Sequence, residues 1–133
     1  MLEVISPEEE ARLSFAGATR GLPGLDTGSD VMVVDIGGGS TEISIGTDTP
    51  LMSFSIPIGA VTATESDLTT DPPRPEDLTN VIGAVQDELE EIGRTAPGAL
   101  TAGRVVGVAG TFVTVAAVEI GLAEWDDSAL HGF

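Results

Sequence analysis

The stretch "VVDIGGGSTEISIG", residues 33–46, joins an apolar strand carrying Asp35 to three consecutive glycines, Gly37, Gly38 and Gly39, and then to a second strand-like segment. Val31 to Ile36 is apolar at nearly every position, as expected of a central strand buried on both faces. After the glycines, Ile43 and Ile45 alternate with Glu42 and Ser44, so one face packs inward and the other stays polar. Two strands joined by a glycine turn are therefore the nucleus of the fold, and the turn sits where strand-end chemistry is usually found.

Working outward, "GTDTP" turns the chain into "LMSFSIPIG", where Met52, Phe54 and Ile56 alternate with small or polar residues. Strands are predicted over about 31–36, 41–46 and 51–57, a three-stranded antiparallel meander. Upstream, Ser6, Pro7 and Glu9 stand as N-cap, first helical position and capping-box residue of a helix over about 6–16 that breaks at Gly17. The box predicts that Glu9 reaches back to the Ser6 backbone, leaving Glu8 and Glu10 without a structural task. "GLPGLDTGSD", residues 21–30, is loop by composition.

Downstream, a short helix fits 60–67 and "TTDPPRPEDL" is a linker. Leu78, Val81, Ile82, Val85, Leu89 and Ile92 recur at helical spacing over about 75–93. A buried strand follows at about 104–108, then a helix at about 111–121, and the tail "AEWDDSALHGF" offers no clear element. The class is α/β with a mixed sheet: three antiparallel strands, then strand–helix units. A further strand and helix would complete such a sheet, so the chain is expected to be a piece of a longer fold.

The composition narrows the functions. A chain of 133 residues with 41% hydrophobic content can bury one core. One Trp, four Phe, no Tyr and only five Lys and Arg argue against a nucleic-acid partner. No stretch approaches the length of a membrane span, the N-terminus lacks an export signal, and the absence of Cys suits a reducing compartment, so a cytoplasmic protein is expected. With a net charge of −17, any phosphate site must rely on backbone amides and metal ions.

Glycine allows positive φ and lets a ligand approach the backbone closely. Three in a row at a strand end offer a concave set of N–H donors suited to phosphoryl oxygens, although a tight hairpin turn reads the same way. Asp35 and Glu42 flank the turn and could hold Mg²⁺ beside a phosphate; the structural alternatives are an Asx cap for Asp35 and an exposed strand position for Glu42. A second glycine turn, with Gly107, Gly110 and Thr111 between strand and helix, is an anion site in principle or an ordinary strand–helix turn. A dinucleotide fingerprint fails because Glu42 stands where its third glycine belongs, and no GxxxxGK[ST] occurs.

"VVDIGGGSTE" resembles the second phosphate loop of the actin and sugar-kinase superfamily. Together with "VISPEEEARLSFAGA", "IPIGAVTATE" and "GVAGTFVTVAAVEIGL", it resembles the Ppx/GppA phosphatases, which comprise exopolyphosphatases and guanosine pentaphosphate phosphohydrolases. That resemblance implies the second actin-like lobe of a two-lobed enzyme that hydrolyses a terminal phosphoanhydride with Mg²⁺ and, in some members, K⁺, and that forms homodimers at full length. It implies that Glu10 orients or deprotonates the attacking water, that Asp35 and Glu42 serve the metal, and that Gly37, Gly38, Gly39, Ser40, Gly110 and Thr111 hold phosphate. Arg12 matches a family arginine that either binds phosphate or pairs with an acid. His131 matches a recurring His-Gly and is expected to be structural, and Phe112, after the glycine-threonine turn, is expected to narrow the site. The family's first-lobe DxGTNS motif is absent, so this chain alone is expected to be inactive or nearly so. An actin-like kinase lobe and a non-catalytic nucleotide sensor are the alternatives.

Overall fold

A computed structural model describes residues 5–20, 22 and 30–133. Its elements are α1 (Pro7–Arg20), β1 (Val31–Ile36), β2 (Thr41–Gly46), β3 (Pro50–Ile56), α2 (Ala60–Ser66), α3 (Pro75–Thr95), a 3₁₀ turn (Ala99–Thr101), β4 (Arg104–Val108), α4 (Ala109–Ile120) and α5 (Asp127–Leu130). The loop read at residues 21–30 lies, apart from Leu22 and Asp30, outside the described residues. The sheet runs β3-β2-β1-β4, with β1–β2 and β2–β3 antiparallel and β1–β4 parallel.

Two apolar layers hold this sheet. On one side Phe15 of α1, fully buried, packs with Val31, Val33 and Val106, flanked by Ala18, Leu22 and Val108. On the other, Met32, Ile43, Ile45 and Ile56 meet Ile92 of α3 and Ala99, with Leu89 and Ala96 alongside. Each such aliphatic or aromatic side chain contributes about 1.5–3 kcal/mol when removed from water.

Three expectations need correction. The first helix does not break at Gly17 but runs to Arg20, because Phe15 and Ala18 are needed against the sheet and one internal glycine costs only about 1 kcal/mol. Strand β4 is not buried throughout: Val106 is, but Val105 is 59% exposed, since among the described residues β4 pairs with β1 alone. The tail does contain an element, α5, started by Asp126, whose Oδ1 accepts from the Ser128 N–H at 2.9 Å and the Ser128 hydroxyl at 2.6 Å. The apolar stripe of α3 is buried toward its C-terminal end, while Leu78 and Ile82 stay exposed. At its start, Arg74 donates from Nε and Nη2 to the buried Asp77 carboxylate, each at 2.9 Å, in place of an N-cap side chain. Among the described residues no helix is long and apolar enough to cross a membrane.

Candidate active site

The glycine turn follows the C-terminal end of β1. None of Gly37, Gly38 and Gly39 lies in the left-handed region, so positive φ is not what demands glycine here. Space is: a Cβ on Gly37 would meet the Ser40 carbonyl oxygen at 3.3 Å, and one on Gly38 would meet Val61 Cγ2 at 3.3 Å. A Cβ on Gly39 would project into open space, where its absence leaves the backbone bare.

The amides are not all available. Gly37, expected to hold phosphate, donates its N–H to the Ser40 carbonyl at 3.0 Å, so this amide is engaged within the turn. The N–H groups of Gly38, Gly39 and Ser40 have no partner among the described residues, leaving a run of three donors.

Asp35 and Glu42 are register partners across β1 and β2, so both carboxylates stand on the face that α1 covers. Glu42 Oε1 accepts from the Ser40 hydroxyl at 2.5 Å and the Ser55 hydroxyl at 3.1 Å. Ser14 of α1 approaches Asp35 Oδ2 at 3.5 Å. The packing of Phe15 lays α1 across this face, and Glu10, Ser14, Asp35, Glu42 and Ser55 line one cavity of about 350 Å³.

Glu10, whose N–H donates to the Ser6 carbonyl at 2.9 Å, is exposed. The capping box is half formed: Ser6 Oγ accepts from the Glu9 N–H at 3.2 Å, but the Glu9 side chain does not reach back. Its two oxygens take Arg12 Nε at 2.9 Å and Nη2 at 2.6 Å, which outcompetes a neutral backbone donor. The guanidinium hydrogen bonds hold the Glu9 carboxyl below the usual range and raise the Arg12 pKa. Arg12 is thus bound to an acid.

The second turn lies beside the first, at the end of the parallel neighbour β4. Thr111 Oγ1 donates to the Ile36 carbonyl at 3.0 Å, and Gly37, Gly38, Ala109, Gly110 and Thr111 line an open cleft of about 470 Å³. Ala109 has φ 68°, a conformation that costs a non-glycine residue about 1–2 kcal/mol and that concentrates at functional sites. Phe112 turns away from that cleft, correcting the expectation that it narrows the site. Its ring covers Gly107, where a Cβ would lie 2.2 Å from Cδ1.

Ser14, Ser55, Gly59 and Thr62 carry no role in the sequence reading. The alternation of β3 could have placed Ser53 and Ser55 on the face of Glu42; nothing local pointed to the others. Among the described residues no group of three or more His, Asp or Glu side chains converges on a metal position. The donor set of Asp35 and Glu42 nonetheless fits Mg²⁺, which takes one or two carboxylates and completes its shell with water and substrate phosphate.

A mixed four-stranded sheet with glycine turns at the ends of its parallel strands, covered by helices on both faces, places the chain in the actin-like α/β class. The model of the Ppx/GppA phosphatase family matches residues 1–126, and the chain belongs to that family. It is 41% identical over 129 residues to exopolyphosphatase 2 of Mycobacterium tuberculosis, covering 97% of this chain and 40% of that protein. Among solved structures, an exopolyphosphatase-like protein matches with a TM-score of 0.84 at 39% identity, covering 95% of this chain and 41% of its own. The Aquifex aeolicus Ppx/GppA family member matches with a TM-score of 0.80 at 32% identity, over 98% of this chain and 40% of its own. The chain therefore spans about 40% of the length of these relatives.

Proposed function

We propose that this chain forms one wall of a phosphoanhydride hydrolase of the exopolyphosphatase type, releasing the terminal phosphate of polyphosphate. The observation that carries the reading is that Glu10, Asp35 and Glu42, from three separate elements, line one cavity next to a turn with three amides that have no partner among the described residues.

Phosphoryl transfer depends on in-line positioning and on neutralising charge more than on covalent help. The Gly38, Gly39 and Ser40 amides grip oxygens of the terminal phosphate. The Glu10 carboxylate orients a water and accepts its proton as the water oxygen bonds to phosphorus. The bridging P–O bond breaks, and the shortened chain leaves with the electron pair. Asp35 and Glu42 would hold Mg²⁺, which when bound offsets phosphate charge that a chain of net charge −17 cannot. Ser40 and Ser55 fix the Glu42 carboxylate through its Oε1. An opposite wall, and a basic surface to guide a long polyanion, would have to be supplied from outside this chain.

Polyphosphate is preferred because the curated relative carries that activity in its name. Guanosine pentaphosphate ends in the same anhydride and is the alternative substrate. The test is Glu10→Gln in the full-length protein, assayed on both substrates. Loss of a general base lowers kcat about 10²–10⁴-fold, with KM within about threefold if binding energy is untouched. Hydrolysis at the original rate, or phosphate passed to an acceptor other than water, would reject the assignment.

A further inference from the structure

We infer that Gly59 and the first turn of α2 are positioning elements of the phosphate turn, holding its carbonyls so that the three free amides face outward; this rests on the phosphate reading above. The N–H of Ala60 donates to the Gly37 carbonyl at 2.9 Å, and those of Val61 and Thr62 donate to the Gly38 carbonyl at 2.9 and 3.0 Å. The opening amides of a helix ordinarily meet a cap or water. Here they are spent on the turn, and a peptide whose carbonyl is tied to one side presents its N–H toward the other. In a simple hairpin the Gly37 carbonyl would accept from the Ser40 N–H; here it accepts from the Ala60 N–H instead, and among the described residues no bond joins it to the Ser40 amide.

Gly59 makes this approach possible. Its φ of −128° and ψ of 175° are open to any residue, so conformation does not require glycine there. Proximity does: a Cβ would lie 2.5 Å from the Gly38 carbonyl oxygen and 2.6 Å from both the Gly38 carbonyl carbon and the Ser40 nitrogen, all backbone atoms of the turn. The segment is clamped on both sides. Thr41 Oγ1 donates to the Ile58 carbonyl at 2.8 Å, and Thr62 Oγ1 accepts from the Gly59 N–H at 2.8 Å. The single Thr62 hydroxyl proton faces the carbonyls of Gly59 at 3.2 Å and Gly39 at 3.4 Å.

The experiment compares Gly59→Ala, Thr62→Val and Thr62→Ser with Gly83→Ala, a control on α3 whose new Cβ would meet nothing within 4 Å. The readout is the amide resonances of Gly38, Gly39 and Ser40 in the isotope-labelled chain, without ligand and during titration with inorganic tripolyphosphate and Mg²⁺. Without ligand, Gly59→Ala and Thr62→Val should displace these resonances, Thr62→Ser should restore them, and Gly83→Ala should leave them in place. With tripolyphosphate, Gly59→Ala should weaken binding at least tenfold and Thr62→Val about threefold, since a turn displaced by about 1 Å loses much of its oriented binding. Turn resonances and affinity in Gly59→Ala equal to those in Gly83→Ala would overturn the inference. If Gly59→Ala fails to fold, the Thr62→Val and Thr62→Ser pair decides it in the same way. Variants that move the turn in a wild-type background insensitive to tripolyphosphate would reject the phosphate reading while leaving the positioning role intact.

Discussion

Phe15 couples the fold to the site, and its removal has a calculable cost. The ring is 0% exposed against Val31, Val33 and Val106, whereas Leu13, two residues earlier on the same helix, is 48% exposed. Truncating a fully enclosed Phe to Ala costs about 3–5 kcal/mol in transfer and cavity terms. Truncating a half-exposed Leu forfeits about 1 kcal/mol of transfer energy. With a urea dependence of about 2 kcal/mol per molar, Phe15→Ala should lower the unfolding midpoint by about 2 M and Leu13→Ala by about 0.5 M. The first loss is a large share of the about 5–15 kcal/mol that holds a domain together. The assay is urea unfolding followed by circular dichroism on the two variants in parallel. Equal midpoints would mean that α1 is not anchored through this ring, and the placement of Glu10 and Ser14 over Asp35 would fall with it.

Other consequences are open to measurement. Ser55→Ala in the full-length protein should cut kcat about fivefold by removing one hydrogen bond worth about 1 kcal/mol from the Glu42 carboxylate, and Ser55→Thr should recover most of it; no change would free Glu42 from that dependence. Gly107→Ala places a Cβ 2.2–2.6 Å from three ring carbons of Phe112 and should cost about 1–3 kcal/mol; combining it with Phe112→Leu should restore part of that in a double-mutant cycle, and additive losses would contradict the contact. The Arg74 hydrogen bonds hold the Asp77 carboxyl below the usual range. Because the unfolded chain then binds the proton more tightly, the pair's contribution is complete above about pH 4 and is lost as pH falls through the lowered folded value. The stability gap between wild type and Asp77→Asn should accordingly shrink on acidification, and a gap constant across that window would refute the coupling.

Much of the architecture is legible from pattern alone. The alternation from Glu42 to Ile45, the doubly apolar run at Val31–Ile36 and the helical spacing from Leu78 to Ile92 correspond to β2, β1 and α3. Each reflects a period, 2 or 3.6 residues, imposed by backbone geometry on whichever residues must leave water. Glycine after an aspartate-bearing strand likewise marked the turn. The readings that went astray all involved something other than the local period. The helix through Gly17 is decided by what Phe15 and Ala18 touch, and the exposure of β4 by which strands lie beside it. The rotation of Phe112 follows from the vacancy at Gly107.

By itself, then, the chain's order of residues determined the strands, the existence of the longer helices, the acidic pair and the place of the glycine turn, because these follow from short-range sterics and from the drive to bury apolar surface. Only the tertiary structure decided which amides of that turn are free. The opening amides of α2, some twenty residues downstream, take the carbonyls of Gly37 and Gly38, and Thr41 reaches the Ile58 carbonyl, while the Gly38, Gly39 and Ser40 N–H groups find no partner among the described residues. A hydrogen bond is a contest among all donors and acceptors that folding brings within about 3 Å, and most of those competitors are not neighbours in sequence.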